Sequence, residues 1–177
     1  MRINLCGLRI RQLNINLREL EFNDLEKLND WRNNPNLVTS LGTGFTFISK
    51  DVDKAWYNDY LNNRDKAVRL VIDVEGVYVG NINLTNISQI NRSAEFSIFI
   101  GDPNYQGKGV GSFASSKIID HGIKDLGLRR FWLTVLVNNQ AAIAMYKKIG
   151  FEYEGTLRQA IYKEGEFYDM DIMSLIH

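Results

Sequence analysis

Between Asn104 and Ile123 the chain reads NYQGKGVGSFASSKIIDHGI, with Gly107, Gly109 and Gly111 at alternate positions ahead of an apolar helical pattern. Bare backbone before a helix suits anion binding. Glycines let successive N–H groups converge, and the helix adds its four free N–H groups and the positive end of its dipole. Three phosphate-binding patterns compete for this stretch. A Walker loop, G-x-x-x-x-G-K-[ST], fails: Gly101 to Gly107 is one residue too long, and Gly109 follows Lys108 where Ser or Thr is required. A dinucleotide fingerprint is formally met by Gly109-Val110-Gly111-Ser112-Phe113-Ala114, but the next strand, FWLTVLV, ends in Asn138-Asn139 with no acid to hold a ribose. A pyrophosphate cradle of the form Q-x-x-G-x-G, Gln106 to Gly111, needs no such acid.

Few side chains can act as nucleophiles. Cys6 is the only cysteine and reads as a small apolar residue; there is no partner for a disulfide and no Cys-based metal site. His121 falls in mid-helix and His177 is the last residue, which argues against a His-centred triad or a zinc site. Glu95 stands out in SAEFSIFI. Alternation places Glu95, Ser97 and Phe99 on one face of that strand and Phe96, Ile98 and Ile100 on the other. An acid in an otherwise apolar strand is costly unless it has a task or a partner. Two readings stand: a general base, acting through water, or half of a salt bridge with Arg92 or a neighbouring strand.

The elements that would position these residues follow from pattern. The 177 residues suggest one domain over the whole chain, with residues 1–13 a separate strand or arm. NINLRELE alternates like a strand, and FNDLEKLNDWRNNP reads as a helix capped by Asn23 with Glu26 at the capping-box position. Asn36–Ser49 reads as an uncharged loop, and Ser49 caps a second helix. VRLVIDV and VYVGNINLTNI flank a Glu75-Gly76 hairpin turn, and SAEFSIFI is a further strand. RRFWLTVLV, nearly continuously apolar, is expected at the centre of the sheet. NQAAIAMYKKIG is a helix ending at Gly150, and two last strands are joined by KEGE. The fold class is α/β (α+β mixed), a mixed sheet with helices on both faces.

Lys plus Arg total 21 and Asp plus Glu total 21, which argues against nucleic acid or a membrane surface as partner. No apolar run approaches a membrane span, and MRINLCGLRIRQ lacks a signal-peptide core, so a cytoplasmic location is expected.

The strand AEFSIFI, the stretch YQGKGVG and the following VLVNNQAAIAMYKKIGF together resemble the GNAT superfamily of N-acetyltransferases. The family's N-x-x-A-x-x-x-Y-x-K-x-G-F signature is matched at every fixed position from Asn139 to Phe151, and the order of elements agrees over about Asn14 to Leu175. The resemblance implies a central, mostly antiparallel mixed sheet of about seven strands. It implies acetyl-CoA as cosubstrate, no metal, and direct attack of a primary amine on the thioester in a ternary complex. Gln106, Gly107, Lys108, Gly109, Val110, Gly111 and Ser112 would receive the pyrophosphate, chiefly on backbone N–H groups. Asn139 and Lys148 complete the CoA set, and backbone groups of Ile98, Phe99 and Ile100 would pair with the pantetheine arm. Tyr146, at the family's tyrosine position, would protonate the leaving thiolate; packing against Met145 and Ile149 is the alternative. A homodimer is a habit of the family. A non-catalytic acyl-CoA-binding module is the rival reading.

For the acceptor, INRSAEFSIFI and YKKIGFEYEGTLRQAIYKEGEFYD are similar to bacterial spermidine N-acetyltransferases, whereas LRELEFNDLEKLNDWRNNPNLV is similar to ribosomal-protein N-terminal acetyltransferases and their amino-sugar-modifying relatives. A polyamine site needs carboxylates, and Asn36–Ser49 has none, which leaves Asp24, Asp30, Asp51 and Glu166 as contributors. Trp31, Phe45 and Phe47 are the candidate acceptor-pocket residues, with Trp31 equally readable as the apolar face of the first helix. Trp56 and Tyr60 read as an i, i+4 packing pair.

Overall fold

The computed structural model describes residues 13–177, so the expected N-terminal arm lies outside the described residues except for Leu13, which packs against the main core. One sheet runs in the order β1 (Ile15–Glu19), β2 (Val68–Val74), β3 (Val77–Ser88), β4 (Ser93–Ile100), β5 (Arg130–Leu136), β7 (Glu166–Ile176) and β6 (Glu152–Lys163). Neighbours are antiparallel except β4 and β5, which run parallel. The helices are α1 (Leu25–Arg32), α2 (Pro35–Val38), α3 (Lys50–Asn62), α4 (Val110–Lys124) and α5 (Gln140–Ile149). A parallel pair needs a crossover, and α4 supplies it between β4 and β5. None of the described helices is long and apolar enough to cross a membrane.

Strand alternation decides the layers. Ala94, Phe96, Ile98 and Ile100 of β4 join the larger core with Ile118 of α4 and Ile143 of α5. Phe99 turns to the other face, where Leu25, Leu28 and Trp31 of α1 pack with Val71 and Tyr78. The near-continuous apolar run of β5 is explained by its central place, with Phe131 and Leu133 fully enclosed. Glu75 (φ 54°) and Gly76 (φ 85°) form the expected two-residue hairpin turn, and Glu164 (φ 53°) and Gly165 (φ 85°) repeat it between β6 and β7.

Two local expectations are corrected. The first helix is not capped by Asn23. Asp24 stands at its N-cap, and the Glu21–Asp24 capping box closes the 3-10 turn Phe22–Asp24 that leads into it, with Arg18 holding the Asp24 carboxylate by two 2.7 Å hydrogen bonds. The segment after Pro35 is not all loop: Asn34 caps the single turn α2, with Pro35 at its first position.

Helix α4 lies close against the sheet. A Cβ on Gly122 would sit 2.6 Å from Phe131 Cε1 and 3.2 Å from Leu84 Cδ1. Gly122→Ala is therefore expected to destabilise by about 1–3 kcal/mol through overpacking, despite its better helix propensity. Urea denaturation checks this, and a midpoint raised in the variant would contradict it.

Candidate active site

The sheet forks between β4 and β5. They pair only from Ser93–Arg130 to Glu95–Trp132, while β5 stays paired to β7 as far as Leu136–Met170. Beyond Glu95 the two strands separate, and a cleft of about 1040 Å³ fills the fork. Which backbone groups enter it follows from ladder geometry. Gly101 N–H donates to Val79 C=O across the Ile100–Gly80 pair, which makes that pair the non-hydrogen-bonded kind. Ile98 and Ile100 therefore turn their N–H and C=O groups toward the cleft. Phe99 turns its own toward Asn81 of β3, so the expectation that its backbone serves the pantetheine arm is corrected, although the residue still borders the cleft.

The glycine stretch has the conformation an anion cradle needs. Gly107 (φ 69°) and Gly109 (φ 80°) are left-handed, and a Cβ on either would meet nothing within 4 Å, so the space above the loop is open. Gly109 is the N-cap of α4, whose first N–H groups face the same space. Gln106 through Ser112 contain no carboxylate to repel a phosphate. Other members of the stretch serve the loop itself. Val110 is buried and anchors the start of α4, and Gly111 lets Met145 of α5 approach, since a Cβ would lie 3.0 Å from its sulfur. Gln106 donates to the Ile100 carbonyl at 3.0 Å. The Lys108 ammonium lies 5.9 Å over the Tyr105 ring.

From α5, Tyr146, Lys148 and Asn139 all line the cleft. Tyr146 is nearly enclosed, its ring set edge-on to Phe96 at 6.1 Å and tilted against Phe151 at 5.9 Å. Its hydroxyl has no hydrogen-bond partner among the described residues, and burial pushes its pKa up to about 12. It is a phenol that stays protonated. The Asn139 side chain is already committed: its oxygen accepts from Ala142 N–H at 3.2 Å, capping α5, and its nitrogen donates to Ser40 C=O at 3.0 Å.

Glu95 lies where the fork begins and lines the cleft. Asn86 donates to one of its oxygens at 2.7 Å. The Arg92 salt bridge does not form, because the Arg92 guanidinium donates to Gly127 C=O at 2.6 Å instead. The acid therefore keeps an oxygen for other work.

The remaining wall comes from residues 36–43. Lys163, buried at the end of β6, donates to Val38, Thr39 and Leu41 carbonyls at 3.1, 2.6 and 3.2 Å. Burial lowers its pKa. Thr39 donates to Glu164 at 3.0 Å, and Gly42 admits Met170, whose Cε would lie 2.4 Å from a Cβ there. Nothing in the local sequence marked Lys163 as the anchor of a distant loop. Lys163→Met is expected to raise the acceptor KM about tenfold, leave the acetyl-CoA KM unchanged, and cost about 2 kcal/mol of stability from carbonyls left unpaired. Initial rates at varied concentrations of each substrate check it.

The three aromatic candidates for the acceptor pocket lie elsewhere. Trp31 is core: Tyr78 and Phe99 flank it at 4.8 and 5.7 Å, and Gly101 leaves the slot its ring fills, with a Cβ falling 2.2 Å away. Phe45 and Phe47 meet edge to face at 5.1 Å, outside the cleft lining. Asp24, Asp30, Asp51 and Glu166 do not line the cleft either; Asp24 is bound to Arg18 and Asp51 pairs with Lys54.

Residues 14–152 match the family described as "Acetyltransferase (GNAT) domain". The chain is 30% identical over 162 residues to a spermidine N(1)-acetyltransferase of Vibrio cholerae, covering 92% of each chain. It is 31% identical over 157 residues to that of Escherichia coli K12, covering 86% of this chain and 81% of the relative. To a Bacillus subtilis protein provisionally named as the ribosomal N-acetyltransferase YdaF it is 29% identical, covering 90% and 84%. The crystal structure of the Vibrio cholerae spermidine N-acetyltransferase in complex with CoA and spermine superposes with a TM-score of 0.85 at 29% identity, covering 92% of this chain and 95% of that one. An open anion cradle, a forked sheet and this likeness agree: the chain is an acetyl-CoA-dependent N-acetyltransferase and belongs to the GNAT acetyltransferase family.

Proposed function

We propose that this enzyme acetylates a terminal primary amine of a polyamine, by direct transfer within a ternary complex in the cytoplasm. The observation that carries the reading is the convergence of Glu95, Tyr146, the backbone groups of Ile98 and the Ile100 N–H on one cleft. The likeness to spermidine enzymes over nine-tenths of the chain supports the acceptor class.

The residues divide the work as follows. Gly107 to Ser112 offer N–H groups to the CoA pyrophosphate, and the Ile98 and Ile100 backbone aligns the pantetheine arm. An alkylamine near pKa ~10.4 is neutral in fewer than about one in a thousand molecules at pH 7, a deficit of roughly 4–5 kcal/mol. Glu95 takes that proton on its unshared oxygen, directly or through water. The amine nitrogen then attacks the thioester carbonyl. A backbone N–H of β4 stabilises the carbonyl oxygen, the attacking nitrogen releases its second proton to solvent, the C–S bond breaks, and Tyr146 gives its hydroxyl proton to the departing sulfur. The proton held by Glu95 returns to the phenolate through solvent, which restores both groups.

Glu95→Gln is expected to lower kcat/KM for spermidine by about 10–100-fold near neutral pH, with recovery as pH rises toward the amine's own pKa. A profile superimposable on the parent's would make Glu95 structural.

An α-amine acceptor at a protein N-terminus is the second reading. It is favoured by the uncharged Asn36–Ser49 segment and by the likeness to YdaF. A protein α-amine near pKa ~8 is about one-tenth neutral at pH 7 and asks less of Glu95. A thiol-release panel of spermidine, N-terminal peptides and amino sugars separates the two. The polyamine reading expects the highest kcat/KM for spermidine, and a peptide that outperforms it would replace the reading with the second.

A further inference from the structure

A second pocket, of about 350 Å³, lies beneath α3 and is lined by Trp56, Asp59, Tyr60, Lys66 and Arg69 among others. Arg69 projects from β2 on the α3 side of the sheet, its guanidinium 4.7 Å from the centre of the Trp56 ring and 5.8 Å from that of Tyr60. Its Nε is buried and has no hydrogen-bond partner, and the guanidinium forms no ion pair among the described residues. Other arginines of this region are paired: Arg18 with Asp24, Arg32 with Asp53, and Arg64 with Glu19. Residues 1–12 contain no Asp or Glu, so they bring no carboxylate side chain to it. Arg69 is half-buried; a partly desolvated guanidinium without an ion pair is costly, and flanking aromatic faces hold it in one orientation without neutralising it. Lys66 adds a second cation without an ion pair among the described residues. The one acid in the lining, Asp59, accepts from Asn63 at 3.1 Å and does not reach Arg69 as an ion pair. Two cations thus face one carboxylate in a preformed hollow.

We propose that this pocket binds a small oxyanion, a phosphate or carboxylate group, on Arg69 and Lys66. A guanidinium presents parallel N–H donors that fit two oxygens of either group. The site is separate from the glycine cradle and shares none of its residues.

The test uses the full chain saturated with acetyl-CoA, so that the cradle is filled, and titrates inorganic phosphate in one arm and succinate in the other. Melting temperature and the Trp56 indole N–H resonance are followed together. At least one anion is expected to raise the melting temperature and shift that resonance saturably. Arg69→Met is expected to weaken the anion by about tenfold or more, while its own melting temperature in anion-free buffer equals or exceeds the parent's. A response to phosphate alone or to succinate alone identifies the group. If the methionine variant does not fold, the indole resonance of the unaltered protein still decides. No response to either anion, or a melting shift that leaves the Trp56 indole unmoved or survives in Arg69→Met, would overturn the proposal.

Discussion

Replacing Tyr146 by phenylalanine is expected to lower kcat by about 10²–10³-fold while leaving the acetyl-CoA dissociation constant unchanged. The change removes one oxygen that has no hydrogen-bond partner among the described residues and keeps the ring that packs on Phe96 and Phe151. The fold should not notice it. The energetics look adverse at first. A phenol pushed up to about 12 would protonate a thiolate near ~8.5 only uphill, by roughly 5 kcal/mol. The same enclosure acts on the sulfur, however. Burial disfavours any charged form, so a thiolate formed beside Tyr146 is more basic than in water, and the gap narrows. The sign of the pH dependence follows. The raised value keeps the phenol neutral, and its neutral form contributes below the unfolded value near ~10 and is lost only as pH rises through about 12. The defect should therefore be flat between about pH 6 and pH 10. Thiol-release kinetics with calorimetric binding check this; a kcat within twofold of the parent's would remove Tyr146 from the chemistry.

Gly109→Val should act on the other half of the reaction, raising the acetyl-CoA dissociation constant by about 10–100-fold. Gly109 has φ 80° at the N-cap of α4. A β-branched residue in that conformation costs on the order of 1–3 kcal/mol, and the loop relieves it by rotating the N–H groups that face the pyrophosphate. Space is not the issue, since a Cβ there meets nothing within 4 Å. The effect is conformational and specific to the cofactor side, so the acceptor KM measured at saturating acetyl-CoA should change little. Calorimetry of CoA binding checks it, and an unchanged dissociation constant would show that the cradle works without this backbone geometry.

The sequence announced what depends on local geometry. Alternate glycines before an apolar helix, the Gly150 end of α5, and the two-residue turn at Gly76 each state their own backbone conformation. The apolar run of β5 likewise told of an interior strand, although only its Phe131, Leu133 and Val135 face is buried while Trp132 and Thr134 are half-exposed. What stayed hidden depends on distant pairings. That β4 and β5 part company after Glu95 is a matter of register between partners 37 positions apart, and the direction in which Phe99 aims its backbone is set by its register with Asn81 of β3. Lys163 looks like any lysine at a strand end; only the folded hairpin carries it to the carbonyls of residues 38–41. Trp31, Phe45 and Phe47 misled for a related reason. Aromatic residues near an acceptor loop fit a pocket wall, a core slot or a surface pair equally well, and Gly101, seventy residues on from Trp31, decides the first case. That Trp56 and Tyr60 lie one helical turn apart was visible, but not that their rings would meet Arg69 rather than each other.

The most direct test of direct transfer is an initial-rate grid, with spermidine and acetyl-CoA both varied and CoA release followed. Attack in the fork requires both substrates to be bound before any bond breaks, so double-reciprocal lines should intersect. Parallel lines would mean that the acetyl group rests on the protein between two half-reactions. That outcome would contradict the roles of Glu95 as base and Tyr146 as acid, and would demand a nucleophile among the residues of the cleft.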